Sequence, residues 1–412
     1  MHRIGVAAMA AAMAVYAGGA TAEPLTFNAA LERAAANAPS LQASAVGVEV
    51  TRSAVIAAGQ LPDPTLSVGI ENFPVSGPPA FTFSRDSQTM ARVGIEQAFP
   101  NPAKRRAQRG RAQADIGVAE ADLAVEAQNV RLETALAWVD LYYAKRRLAQ
   151  LQRLDEALGD LQSTVTARLA SGSARPSQAL EPEQLRALVN DRRSELEAEV
   201  AKAKSRLARL TGDPDPDAAG APPVLEVDGP ALRAQVASLP RLQTLDAQAF
   251  AADAATELAR AEKRPDWRVS TSYGHRNPAY GDMVSVAVSI DLPFFGKHRQ
   301  DPLIAARESE ASRARLLREA GERDALVALD SDLADHAMHM RRLENARNTL
   351  VPLAKRRAEL DMASYASGKI DLGNALLSTL AEAEAEVDAL SREADVARDA
   401  IRINYTYGEM RR

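Results

Sequence analysis

The segment SDLADHAMHMRR (331–342) holds the residues best suited to a soft cation. His336, His339 and Met340 stand at i, i+3 and i+4 on one side of a helix, with Asp332 and Asp335 a turn behind. Imidazole with thioether suits copper or silver. The same spacing places His336 and Met340 on a helical packing seam, where they would fill a core instead, so the three stand as candidates and no metal site is assigned. His2, His275 and His298 form no ligand spacing. The sequence contains no H-E-x-x-H, G-x-S-x-G, phosphate-binding P-loop or G-x-G-x-x-G. Its carboxylate pairs read as charges on solvated helical faces. Neither catalysis nor a cofactor is expected.

Charge points away from nucleic acid. The 412 residues carry 50 Lys and Arg against 55 Asp and Glu, a net charge of -5 with both signs present. There is no cysteine, which removes disulfides, Cys-ligated metals and a lipidated N-terminal Cys. Aromatics are only 4% of the chain, a composition that favours long, closely packed helices. The opening MHRIGVAAMAAAMAVYAGGATA (1–22) reads as a signal peptide cleaved after Ala22, its apolar run falling short of the roughly 18 residues a membrane helix needs. No later charge-free stretch is that long, which leaves an exported soluble protein or an outer-membrane β-barrel.

The elements that must position these residues come in two similar sets, 23–210 and 231–412. In order, NAPSLQASAVGVEV (37–50), QLPDPTLSVGIENF (60–73) and MARVGIEQAFPNPAKRRAQ (90–108) match SLPRLQTLDAQAFA (238–251), KRPDWRVSTSYG (263–274) and MVSVAVSIDLPFFGKHRQ (283–300). Pro39 matches Pro240, Pro62-Asp63 matches Pro265-Asp266, and Pro100 matches Pro293. The stretch TGDPDPDAAGAPPVLEVDGP (211–230) cannot continue a helix and reads as the linker between the sets.

Four segments alternate apolar and polar residues: about 64–73, 89–99, 266–275 and 283–293. Their length suits either a tilted strand crossing a bilayer or a half-buried sheet. Helical patterns frame them. A helix from about 103 to 169 would be roughly 100 Å long, deeper than any globular core, and Leu151, Leu154, Leu158, Leu161 and Val165 form a coiled-coil seam in it. Single helices over about 28–59 and 178–211 together match its length, as 231–263 and 372–408 match about 298–367. Each half is then a strand hairpin on two helical columns, one continuous and one spliced. Pro182 and Pro352 fall inside helical patterns and should kink them. Four strands cannot close a barrel and an open edge cannot face lipid, so several copies must combine. The long columns break at LASGSARPSQAL (169–180) and YASGKIDLGNAL (365–376), where Gly172 and Gly368 can take the left-handed conformation that ends a helix, and Ser177 and Asp371 can cap the next.

LTFNAALERAAANAPSLQAS (25–44), the paired junctions AFPNPAKRRA (98–107) and LPFFGKHR (292–299), and the two breaks resemble the TolC family of outer membrane efflux proteins over almost the whole mature chain. LPDPTLSVGIENFP (61–74) with SRDSQTMARVGIEQAFPNPAKRRAQR (84–109) is similar to the CzcC-like branch that serves heavy-metal pumps. The resemblance implies a mainly helical chain whose long coiled-coil hairpins form a periplasmic α-barrel and whose four strands contribute to a trimeric 12-stranded outer membrane β-barrel. It implies a homotrimer in outer membrane lipid, docked on a periplasmic adaptor and an inner-membrane resistance-nodulation-division pump, and conducting passively. It further implies that the tips at about 169–178 and 365–374 carry gate and adaptor contacts, through Gly172, Arg175, Gln178, Glu181, Tyr365, Gly368, Lys369, Asp371 and Asn374. Tyr365 matches a tyrosine that latches closed tips. Gln178 and Asn374 place amides where some members have carboxylates, which argues against a strongly cation-selective ring there, although Asp371 and Glu181 lie close enough to add charge. The same channel serving multidrug efflux or type I protein secretion, and a periplasmic coiled-coil adaptor, are the alternatives.

Overall fold

The computed structural model describes residues 25–171 and 175–408; the expected signal peptide and Gly172 lie outside them. Thr26 caps the first helix, α1 (Phe27–Asn37), by accepting the Ala29 N–H at 3.3 Å. The chain breaks at Ala38, because the following proline pushes it into extended backbone, and α2 (Pro39–Ala57) starts on Pro39. The second half repeats this device. α5 (Gly229–Gln235) and a 3-10 turn lead to an extended Leu239, and α6 (Pro240–Ala261) starts on Pro240. The single helices expected over 28–59 and 231–263 are therefore each two, since proline geometry overrides an uninterrupted apolar period.

The continuous columns are long. α3 (Pro102–Ala170) has 69 residues, about 100 Å at 1.5 Å per residue. α7 (Gly296–Asn345) continues through a π turn at Ala346–Leu350 into α8 (Val351–Ala366). Pro352 follows that turn: the Val351 N–H reaches back five residues to the Ala346 carbonyl, so the wider turn absorbs the missing proline donor and the column runs on. Pro182 lies in the first turn of α4 (Leu180–Thr211), where backbone donors have no intrahelical acceptor in any case. The kink expected there is instead a helix start. The last helix is α9 (Leu372–Tyr407).

Packing splices the shorter helices into columns. α2, α4, α6 and α9 lie along α3, and α6 and α9 also pack on α7. At the first splice the Asn37 amide donates to the Thr211 carbonyl at 3.1 Å and Arg33 pairs with Asp213 at 3.0 Å. A core fills this level of the molecule, with Phe27, Leu31, Leu141, Leu207 and Ile401 in one buried cluster with Trp138. Trp138 is fully buried, meets Phe27 edge-on and Tyr142 face-on with 5.5 Å between ring centres, and donates its indole N–H to the Leu25 carbonyl at 2.7 Å. Leu25 in turn bonds Asp217 and Ala219 of the 211–230 segment, so that segment is tied to the body of the protein.

The strands are β1 (Thr65–Glu71), β2 (Met90–Phe99), β3 (Trp267–Arg276) and β4 (Met283–Ile290). They form one antiparallel sheet in the order β1-β2-β3-β4, with β2 and β3 joining the two halves. β1 and β4 end the sheet with open edges, and the last turn toward α7 leaves 291–293 outside β4.

Candidate functional site

Register sorts the sheet into two faces. Val68 opposes Val93, Val93 opposes Tyr273 and Tyr273 opposes Val284. Leu66, Ile95, Thr271 and Val286 form the next row, and Phe99, Trp267 and Ile290 a row at the helical end. All the large apolar side chains of this face are exposed, Val68 at 74% and Val286 at 70%. In water so large an apolar surface would be a liability, whereas in lipid it is the solvent-facing side. The opposite face is largely polar: Ser67, Gly94, Ser270, Ser272, Ser285 and Ser289, with a Glu71–Arg92 ion pair at 2.9 Å, and with Met90 and Met283 at its far end. Gly94 lets the strands pack closely there, since a Cβ would stand 3.0 Å from the Ser67 hydroxyl and 3.1 Å from Ser272 Cβ and its neighbours would have to give way.

Below the sheet a buried polar lock joins the halves. Asn101 accepts the Lys104 N–H at 2.8 Å through its side chain, capping α3. Its own amide donates to the carbonyls of Ala261 at 3.3 Å and Arg264 at 3.2 Å, while its backbone N–H donates to Asp266 at 2.7 Å. The Lys104 ammonium reaches the other Asp266 oxygen at 3.0 Å. Burial alone would raise the Asp266 carboxyl, but the Asn101 N–H and Lys104 outweigh it and hold it below the ordinary aspartate value. The Asn-Pro pair at 101–102 was a readable helix-start signal; its partners, more than 150 residues away, were not. Asn101→Ala should cost about 2 kcal/mol, from the lost cap and the orphaned contacts. Asn101→Ser should recover the cap alone, and thermal melts of both variants check this order.

At the far end the two tips meet. Gly368 has φ +75° and closes a Schellman turn, in which its N–H bonds the Tyr365 carbonyl and the Lys369 N–H bonds Ser364, each at 2.9 Å. Asp371 caps α9 by accepting the Asn374 N–H at 2.9 Å. In the first tip the Arg175 N–H donates to the Gln178 side chain at 3.0 Å. Arg175, Lys369 and Asn374 are exposed, whereas Tyr365 packs on a tip core that includes Leu158, Leu185, Leu372 and Leu376. Glu181 of the first tip reaches the second: its carboxylate lies 3.5 Å from where a Cβ on Gly373 would be, and accepts the Gly373 N–H.

Burial, then the facing Asp371 charge, raises the Glu181 carboxyl above its ordinary value against the pull of the Gly373 N–H. A raised acid favours the folded tip most when protonated, so the stability it contributes there is fully present below the ordinary glutamate value and is lost as pH rises through the raised one, although the Gly373 N–H itself is accepted better by the ionised group. Glu181→Gln keeps an acceptor without the charge. Protection factors of the Leu372–Asn374 amides should be higher in that variant at neutral pH and should vary less with pH than in the wild type; equal protection in the two proteins would contradict the contact.

The candidates in 331–342 do not converge. His339 Nδ1 lies 2.6 Å from Asp399 on α9, Met340 is exposed, and Asp332 accepts the Tyr407 hydroxyl at 3.0 Å. His336 Nδ1 is buried without a hydrogen bond, and burial lowers that imidazole's pKa. Among the described residues no three His, Asp or Glu side chains are grouped to hold a metal. Here His339 and Asp332 fasten α7 to α9.

No family model matches the chain. It is 24% identical over 299 residues to the cobalt-zinc-cadmium resistance protein CzcC of Cupriavidus metallidurans, a match covering 70% of this chain and 68% of that one. A membrane protein from Pseudomonas aeruginosa superposes with a TM-score of 0.78 at 15% identity, covering 93% of this chain and 90% of that one. CusC superposes at 0.76 with 13% identity, over 94% and 93%, and the outer-membrane channel OprN at 0.75 with 17% identity, over 93% and 89%. The chain is thus similar in sequence to CzcC and has the fold of the CusC and OprN outer membrane channels.

Proposed function

We propose that this protein is the outer membrane channel of a tripartite efflux system, a passive trimer whose usual cargo is heavy-metal cations. The four-stranded sheet carries the reading: its outer face is apolar and exposed from edge to edge, and both edges are open. Three copies supply the twelve strands that close a barrel and leave no edge in lipid. The helical columns then extend into the periplasm, and the tips that bring Glu181 to Gly373 are where an adaptor and an inner-membrane pump of the resistance-nodulation-division type dock. Exposed Arg175, Lys369 and Asn374 suit that contact. Gln178 and Asn374 put neutral amides rather than carboxylates at the mouth, so selection among cargoes falls to the pump.

The metal cargo rests on the likeness to the cobalt-zinc-cadmium resistance protein. Deleting the gene should lower tolerance to cobalt, zinc and cadmium and leave tolerance to detergents and drugs unchanged. The reverse result would move the protein to multidrug efflux with its architecture intact. A chain absent from the outer membrane fraction would favour the periplasmic adaptor.

A further inference from the structure

The apolar face of the sheet does not stop where β4 stops. Val284, Val286, Val288 and Ile290 keep the alternation, and Leu292 and Phe294 continue it beyond the strand, with Phe295 beside them. Leu292 is 59% exposed, Phe294 80% and Phe295 76%. Aromatic side chains at this level, with Phe99 and Trp267 in the row above, mark the boundary between hydrocarbon and headgroups. Immediately past them Lys297, His298 and Arg299 are exposed, and none of the three side chains has a hydrogen bond or ion pair. The first half carries the counterpart: α3 runs from Pro102 to Arg111 with no acidic residue, and Arg106 is exposed and likewise unpaired.

The opposite end of the sheet is arranged differently. There the Arg276 guanidinium bonds the carbonyls of Ser87 and Tyr280 at 3.0 and 2.7 Å, and His275 lies 3.0 Å from Asp282. Among the described residues of that end, Arg85 is the free cation. Unpaired positive charge thus gathers on the helical side of the apolar band, where it forms a collar under an aromatic rim.

We propose that this collar binds the phosphate headgroups of anionic phospholipid in the leaflet nearest the helices. Lys297, His298, Arg299 and Arg106 contact the headgroups, while Leu292, Phe294 and Phe295 lie among the acyl chains. Charge complementarity and continuity with the lipid-facing sheet select a membrane surface over a protein partner. The inference rests on the membrane reading of the sheet. It adds a lipid class and a side of the bilayer.

The test measures phospholipid retained by full-length protein from nanodiscs of mixed phosphatidylglycerol and phosphatidylcholine, using mass spectrometry. The wild type should enrich phosphatidylglycerol, and K297Q/R299Q/R106Q should lose roughly fivefold of that enrichment per charge at low salt. K297R/R299K should keep it, and so should R85Q, which removes one charge from the other end. Raising salt from about 0.1 M to 1 M shrinks the screening length from about 10 to 3 Å and should abolish the preference in the wild type, a readout that needs no variant to fold. Equal enrichment in the triple variant and the wild type, or none in the wild type at low salt, overturns the collar. A wild type that does not fractionate with the outer membrane overturns the membrane reading beneath it instead.

Discussion

An arginine at Val286 will keep the protein out of the outer membrane, whereas an arginine at the neighbouring Ser285 will not. Val286 stands mid-strand on the apolar face, opposite Thr271, and Ser285 opposes Ser272 on the polar face. A basic side chain at the bilayer midplane of a barrel costs about 2–4 kcal/mol. Three symmetric copies would incur it in one assembly, against a total stability of only about 5–15 kcal/mol for an ordinary domain. Ser285→Arg instead points into the lumen, where water solvates the charge, and its effect should be on conductance. Outer membrane fractionation with a heat-modifiability gel separates the two outcomes. If both variants insert equally well, the two faces have been assigned wrongly.

The second large effect lies far from the membrane. Trp138→Ala removes the centre of the main core, at a cost of about 3–5 kcal/mol for the cavity, and leaves the buried Leu25 carbonyl without its indole donor. Leu25 also holds the 211–230 segment through Asp217 and Ala219. Loss of this anchor should therefore show as faster proteolysis near Val224, which is 97% exposed and bounded by that attachment, well before the helical columns are cut. Trp138→Phe fills most of the volume without the hydrogen bond and should fall between. Unchanged cleavage in Trp138→Ala would mean that the segment is held by other contacts.

Much of the architecture was legible because it repeats with simple periods. Alternation marked the strands, since one face meets a medium unlike the other's, and seams such as Leu154, Leu158 and Val165 marked columns that pack along their length. The breaks at Ala38 and Leu239 are hidden for the same reason: apolar spacing carries straight across them, and only the backbone preference of a residue before proline divides the helices. Pro352 shows the opposite case, where a π turn lets a column continue past a proline. Contacts between distant segments left no local trace. The sequence places Glu181 at a tip, yet its position against Gly373 depends on how two hairpins from opposite halves pack. Asn101 announced a helix start without revealing that it locks one half to the other. The His336, His339 and Met340 spacing suggests ligands, but Asp399 on another helix holds His339 by a hydrogen bond.

The central claim is that β1 of one copy pairs with β4 of the next to close a barrel of three chains. The chain has no native cysteine, so introduced pairs give an unambiguous readout. Within one copy β1 and β4 are separated by three strand spacings, about 14 Å, too far for a disulfide. Single pairs combining Leu66→Cys, Val68→Cys or Ile70→Cys with Val284→Cys, Val286→Cys or Val288→Cys scan the register between copies. Oxidation in isolated outer membranes should give, for at least one pair, a covalent ladder that ends at the trimer. A full set without crosslinks, or a ladder running past three chains, would contradict the closed trimeric barrel.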